Sequence, residues 1–154
     1  MIEFVSVRGD LLQSKDDVLV NAVNKVGVMG AGIALEFKNK FPDMFESYKK
    51  FYTGANFRQD CHVWKEDGTG QFIFNFVTKD HFIDKSNYGL VEDSMDQLIQ
   101  FIKSKRMIKS ISMPKVGCGL GGLSWTRVKK MIKEEFEKAF KKDEREILVH
   151  FYDG

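Results

Sequence analysis

Apolar positions along this chain fall into two rhythms, a period of two and a helical spacing of three or four. Ile2 to Val7 alternates, with Ile2 and Phe4 on one face and Val5 and Val7 on the other, and predicts a first strand that ends at Arg8-Gly9-Asp10. Val18 to Val20 is a short continuous apolar run, as expected of a buried second strand. A glycine-rich stretch follows, and after Gly32 the spacing turns helical through Ile33, Leu35 and Phe37, to about Lys40. Pro42 suits the first turn of another helix, with Met44, Phe45, Tyr48, Phe51 and Tyr52 on one face and Gly54 at its end. Cys61 to Trp64 and Phe72 to Val77 predict two strands around the turn Asp67-Gly68-Thr69-Gly70, and the polar residues from Lys79 to Asn87 predict a loop. Val91, Met95, Leu98 and Ile102 mark a helix from Leu90 to Lys105, and Ile108 to Met113 a buried strand. Ser124 is placed to cap a helix running to about Lys141, with Trp125, Val128, Ile132, Phe136 and Phe140 inward, and Ile147 to Tyr152 closes as a strand.

Strands that alternate with helices over 154 residues predict one α/β domain, a mixed central sheet of about six strands between two helical layers. Nothing recurs with a period of 20 to 50 residues, which excludes a repeat protein. A net charge of +2 neither demands nor excludes nucleic acid, and the lysine pairs lie on predicted helices, where solvent explains them. The opening MIEFVSVRGD lacks a basic segment followed by an apolar core, and no apolar run approaches membrane-spanning length. A cytoplasmic protein with free thiols at Cys61 and Cys118 is therefore expected, without membrane association. Only His62 adjoins a cysteine and no second pair of soft ligands stands at zinc spacing, so no metal is expected.

The chemistry concentrates in two glycine loops. VNAVNKVGVMGAGIALEF, from Val20 to Phe37, runs from a strand through Gly27, Gly30 and Gly32 into a helix. The first turn of a helix has N–H groups without partners, and glycine lets that backbone approach a phosphate closely. The second loop, GCGLGG from Gly117 to Gly122, spells G-x-G-x-x-G between a strand and a helix. It lies late in the chain, and no acidic residue ends a strand about 20 positions later, which argues against a dinucleotide fold. Neither loop carries the G-K-S or G-K-T of a nucleoside triphosphatase. Two such loops at the carboxyl ends of strands are suited to grip a diphosphate from two sides through backbone amides, with no magnesium and no cofactor.

VNAVNKVGVMGAGIALEFKNKFP together with MPKVGCGLGGLSW resembles the macrodomain family, which binds ADP-ribose, and the similarity runs from VRGDLL to VHFYDG. It implies a single macrodomain over residues 1–154, with a three-layer α/β/α fold. GVMGAGIA and TKDHF resemble the branch that contains terminal ADP-ribose protein glycohydrolase and the DNA ADP-ribosyl glycohydrolase antitoxins. By that resemblance Asp10 accepts a hydrogen bond from the adenine amino group, and the backbone of Leu11 also reaches adenine. Asn24 stands at the distal ribose, with Asn21 counted among the binding residues as a brace of the loop. Gly27, Val28, Met29, Gly30 and Ala31 form the phosphate-and-ribose loop, and Gly117, Cys118, Gly119, Leu120, Gly121 and Gly122 the second phosphate loop. Phe151 or Tyr152 packs near adenine or belongs to the core, and Tyr152 is carried as the binding residue. Lys79, in NFVTKDHF, is the implied nucleophile toward the anomeric carbon of the distal ribose, with His81 to tune it or relay a proton. The protein-directed relative has an aspartate where this chain has Gly121, which counts against glutamate-linked protein substrates. The implied activity is removal of ADP-ribose from DNA or protein by a monomer. The alternatives are a non-catalytic ADP-ribose reader and an ADP-ribose-1″-phosphate phosphatase.

Overall fold

The computed structural model describes residues 1–54 and 60–154. In chain order the elements are β1 (Ile2–Ser6), β2 (Val18–Val23), α1 (Gly32–Lys40), α2 (Pro42–Thr53), β3 (Val63–Lys65), β4 (Phe72–Val77), α3 (Tyr88–Ser104), β5 (Ser110–Met113), α4 (Trp125–Phe140) and β6 (Ile147–Phe151). Short 3-10 turns add Leu11–Gln13 and Gly119–Gly121. The strands form one sheet in the order β1-β6-β5-β2-β4-β3, with every neighbouring pair parallel except β3 with β4.

The two faces of the sheet are covered by different helices. Phe72 and Phe74 of β4 meet Phe101 of α3, and Phe4 of β1 meets Phe136 of α4. On the opposite face Asn75 reaches the sulfur of Met44 on α2, and α1 packs on α2 and β2. This is the expected three-layer arrangement. A parallel sheet covered on both faces requires strands buried on both faces, and Val18, Leu19, Val20, Asn21 and Val23 of β2 are all buried.

Element ends depart from the sequence pattern wherever a polar group finds an interior partner. The second strand runs to Val23 instead of stopping at Val20, because Asn21 Nδ2 donates to Asn75 Oδ1 at 3.1 Å across the ladder. The third strand starts at Val63, since the Cys61 amide turns to Gln97 Oε1 of α3 at 2.7 Å. β5 starts at Ser110, with Asp17 Oδ2 accepting from the amides of Lys109 (2.7 Å) and Ser110 (3.2 Å). α3 starts at Tyr88, ahead of its apolar stripe, because Asn87 Oδ1 caps it by accepting from the Leu90 amide at 3.2 Å. Ser124 caps α4 as expected, accepting from the Arg127 amide at 3.4 Å.

One buried cation holds the end of the sheet away from the glycine loops. Arg145 Nη1 donates to the carbonyls of Ile102, Lys105 and Ile108, each at 3.1 Å, while Nη2 pairs with Asp143 Oδ2 at 2.8 Å. The guanidinium holds the Asp143 carboxyl well below the usual carboxylate range. At the other end β2 and β5 lie side by side, but the chain leaves β2 toward β4 and leaves β5 toward β6. That divergence opens a crevice at the carboxyl ends of the strands, where open α/β sheets bind ligands.

Candidate active site

Loops after β2, β4 and β5 enclose a cavity of about 490 Å³ at this crevice. The size falls in the range of small-molecule sites.

The loop after β2 is wound around one asparagine. Asn24 Oδ1 accepts from the amides of Val26 (3.1 Å) and Val28 (3.4 Å), and its Nδ2 donates to Val28 O at 2.8 Å. Tyr48 of α2 locks it from behind, its hydroxyl 2.7 Å from Asn24 O and 2.9 Å from Asn24 Oδ1. Burial pushes the Tyr48 phenol up, so it stays a donor. So held, the loop delivers Gly30, Ala31 and the start of α1 to the cavity wall. Among the described residues no side chain caps α1, and its first amides remain open to a ligand.

Asn24, Val28, Gly30 and Ala31 line the cavity; Asn21, Gly27 and Met29 do not. Asn21 is fully buried and hydrogen-bonded within the core, which corrects its place among the ligand contacts. The Met29 side chain is buried beside it. Gly27 adopts φ +80°, and a Cβ there would meet Thr53 Cγ2 at 3.0 Å, so this glycine lets the loop cross α2.

Of the second loop, Gly117, Cys118, Leu120 and Gly121 line the cavity, while Gly119 and Gly122 shape the turn between them. The amides of Gly119 and Leu120 have no backbone acceptor among the described residues. Burial pushes the Cys118 thiol up and so keeps it protonated, unsuited to act as a nucleophile. Gly121 has no room for a side chain: a Cβ there would stand 2.2 Å from Ser86 Oγ and 2.9 Å from Ser86 Cβ. The Ser86 amide donates to Gly121 O at 3.0 Å and ties the two loops together.

The loop after β4 leaves the sheet at Thr78, whose amide donates to Val23 O at 3.0 Å. Lys79 comes next and lines the cavity, half-buried, with no carboxylate or hydrogen-bond partner among the described residues. Its neighbour Asp80 faces Lys25 instead, at 3.5 Å. His81 does not line the cavity. Its Nδ1 accepts from the Ile83 amide at 3.3 Å and its ring lies 4.2 Å from that of Phe82, contacts that shape the turn after Lys79. Phe82 and Ser86, both wall residues, went unmarked in the sequence because a polar loop shows nothing of which way its residues turn.

Asp10, Leu11 and Tyr152 lie outside this cavity, at the carboxyl ends of β1 and β6. Asp10 Oδ1 accepts from the Leu12 amide at 3.0 Å and the carboxylate is otherwise exposed. Leu11 is buried in the core, and the Tyr152 amide donates to Met113 O at 2.8 Å. Strand order therefore ranks the loops along one edge: Asp10, Tyr152, the second glycine loop, the first glycine loop, then Lys79. Four strand spacings separate β1 from β4, about 19 Å at roughly 4.8 Å each.

A family model described as Macro domain matches residues 20–132. This chain belongs to the macrodomain family. It is 40% identical over 140 residues to the DNA ADP-ribosyl glycohydrolase of Thermus aquaticus, a match that covers 89% of this chain and 38% of that protein's length. It is 33% identical over 132 residues to the ADP-ribose glycohydrolase OARD1 of Homo sapiens, covering 85% of this chain and 82% of the relative. Among solved structures, the macrodomain of Thermus aquaticus DarG superposes with a TM-score of 0.84 at 34% identity, over all of both chains. The α/β/α fold and six-stranded mixed sheet of this macrodomain agree with that neighbour.

Proposed function

We propose that this macrodomain binds ADP-ribose along the carboxyl edge of its sheet and acts as an ADP-ribosyl glycohydrolase, with Lys79 as nucleophile. The observation that carries the proposal is the order of the loops. A diphosphate flanked by adenosine on one side and ribose on the other needs amide donors in the middle and different chemistry at each end. The two glycine loops occupy the middle. Asp10, a carboxylate acceptor suited to an exocyclic amino group, is at one end, with Tyr152 beside it. Lys79 is at the other.

An unpaired amine beside the anomeric carbon can displace its substituent. The bond from C1″ to the leaving heteroatom breaks, with its electron pair going to that atom along with a proton. The nitrogen lone pair of the neutral amine forms the new C–N bond. Water then cleaves the adduct, returning free ADP-ribose and lysine. ADP-ribosylated DNA or protein is the proposed substrate class, and the identity to the Thermus aquaticus relative supports trying DNA first. The absence of a side chain at Gly121, where Ser86 fills the space, supports a reaction carried by lysine without a loop carboxylate.

The test compares wild type and Lys79→Ala on ADP-ribosylated DNA, ADP-ribosylated protein and ADP-ribose-1″-phosphate. The expected result is wild-type turnover of an ADP-ribosylated macromolecule that falls at least about a thousandfold in the variant, the scale of losing a nucleophile. ADP-ribose affinity should persist. Turnover unchanged in Lys79→Ala removes the lysine from the mechanism, and binding without turnover in wild type makes the domain a reader.

A further inference from the structure

Five residues that line the cavity carry a side-chain nitrogen or oxygen able to meet a sugar through hydrogen bonds: Asn24, Thr78, Lys79, Ser86 and Lys115. Asn24 is engaged by its own loop and by Tyr48, and Thr78 Oγ1 donates to Val23 O at 3.4 Å. Ser86 differs from both. It is only 9% exposed, yet its Oγ has no hydrogen-bond partner among the described residues. The hydroxyl is not sealed in protein, since Asp153 Oδ1 is the one fully buried side-chain nitrogen or oxygen without a partner among the described residues, and it opens onto the cavity instead.

The backbone shows where that hydroxyl stands. The Asn87 amide donates to Thr78 O at 2.9 Å and closes the loop after β4 at its base. The residues one step inside that closure, Lys79 and Ser86, both line the cavity. The Ser86 hydroxyl also occupies the space a side chain on residue 121 would need, 2.2 Å from an added Cβ. The two positions exclude each other: this wall can carry the serine hydroxyl or a side chain at 121, not both.

We propose that Ser86 is a substrate-contacting residue, its hydroxyl hydrogen-bonding the bound sugar at the Lys79 end of the cavity, and that Gly121 is the vacancy that admits it. A serine hydroxyl both donates and accepts, which matches a sugar hydroxyl in either sense. Such a contact fixes how the anomeric carbon faces the amine, so it acts on turnover as well as on affinity. The inference rests on the ADP-ribose function proposed above.

Calorimetry with ADP-ribose and steady-state turnover on the ADP-ribosylated substrate test it in four proteins. Ser86→Ala should melt like wild type, bind ADP-ribose roughly three- to tenfold more weakly, the scale of one neutral hydrogen bond, and lose a larger factor in kcat. Gly121→Ala should push Ser86 aside and show the same deficits. The double variant Ser86→Gly, Gly121→Ala refills the space with a methyl group but no hydroxyl, and it should remain as weak as Ser86→Ala. If the double variant recovers wild-type affinity and kcat, Ser86 only fills space and the inference is wrong. Wild-type affinity and kcat in Ser86→Ala overturn it as well. A wild-type protein that fails to bind ADP-ribose removes the reading of the whole site and this contact with it, whereas binding that is indifferent to Ser86 removes only the contact.

Discussion

Two polar clusters flank β2 and β4, and they are built on opposite principles. Behind the strands, under α2, Asn21 Nδ2 donates to Asn75 Oδ1 at 3.1 Å. Asn75 Nδ2 donates to His62 Nδ1 at 2.9 Å, which leaves the His62 proton on Nε2, 2.8 Å from Ser47 Oγ. Every link has a partner. Despite its Ser-His-Asn composition this chain cannot act as a hydrolytic triad, because the imidazole donates to the serine where a general base would accept. At the carboxyl ends of these strands and of β5, the Lys79 amine, the Ser86 hydroxyl and the amides of Gly119 and Leu120 lack protein partners among the described residues. Paired polar groups in the interior secure register, and unpaired ones around a cavity await a ligand.

The comparison can be broken most sharply from the cavity side. Gly30→Glu puts a carboxylate where the diphosphate is proposed to sit, and Gly30 has no close neighbour that a Cβ would strike, the nearest being Val28 Cγ1 at 3.7 Å. Affinity for ADP-ribose should fall by about a thousandfold, the scale of several kcal/mol for like charges brought together, with an unchanged melting temperature. Equal affinity would show that this loop does not hold phosphate. The buried cluster should answer in the reverse sense. Asn75→Leu strands both Asn21 and His62, and denaturant titration should find a loss of about 4 kcal/mol, the sum of two unpaired buried groups.

Acid should act on the buried cluster alone. Burial lowers the His62 pKa from 6.5 to about 4, so between those values the unfolded chain binds the extra proton. Stability from this group is complete above pH 6.5 and is lost as pH falls toward 4, on the order of 3 kcal/mol. Unfolding curves at pH 7.5 and about 4.5 should show this loss in wild type and not in His62→Gln. The smallest effect should come from Tyr48→Phe, which links the two regions. Removing the hydroxyl that holds Asn24 should cost about 1–2 kcal/mol of stability and weaken ADP-ribose only a few-fold, as thermal melts and calorimetry would report.

Strand and helix order were legible in the sequence because apolar periodicity follows burial, as in the stripes of α3 and α4. The glycine loops were legible because glycines clustered between a strand and a helix, three in the first loop and four in the second, free the backbone at a helix start. Asn21 was not, since an asparagine beside a glycine loop looks the same in sequence whether it turns to a ligand or to Asn75 across the ladder. Ser86 was hidden for a related reason. The relation between residues 86 and 121 exists only after two distant loops have met, and no local pattern encodes it. His81 stands two positions from Lys79, but a turn of the backbone separates neighbours in sequence from neighbours in the wall.

Arg145 has a bearing on how this domain tolerates change. Its guanidinium joins the end of α3, the turn before β5 and the approach to β6 at the pole opposite the cavity. With that pole anchored by charge, the scaffold keeps a set of bonds in which no residue of the cavity wall takes part. A change in a wall loop leaves those bonds in place.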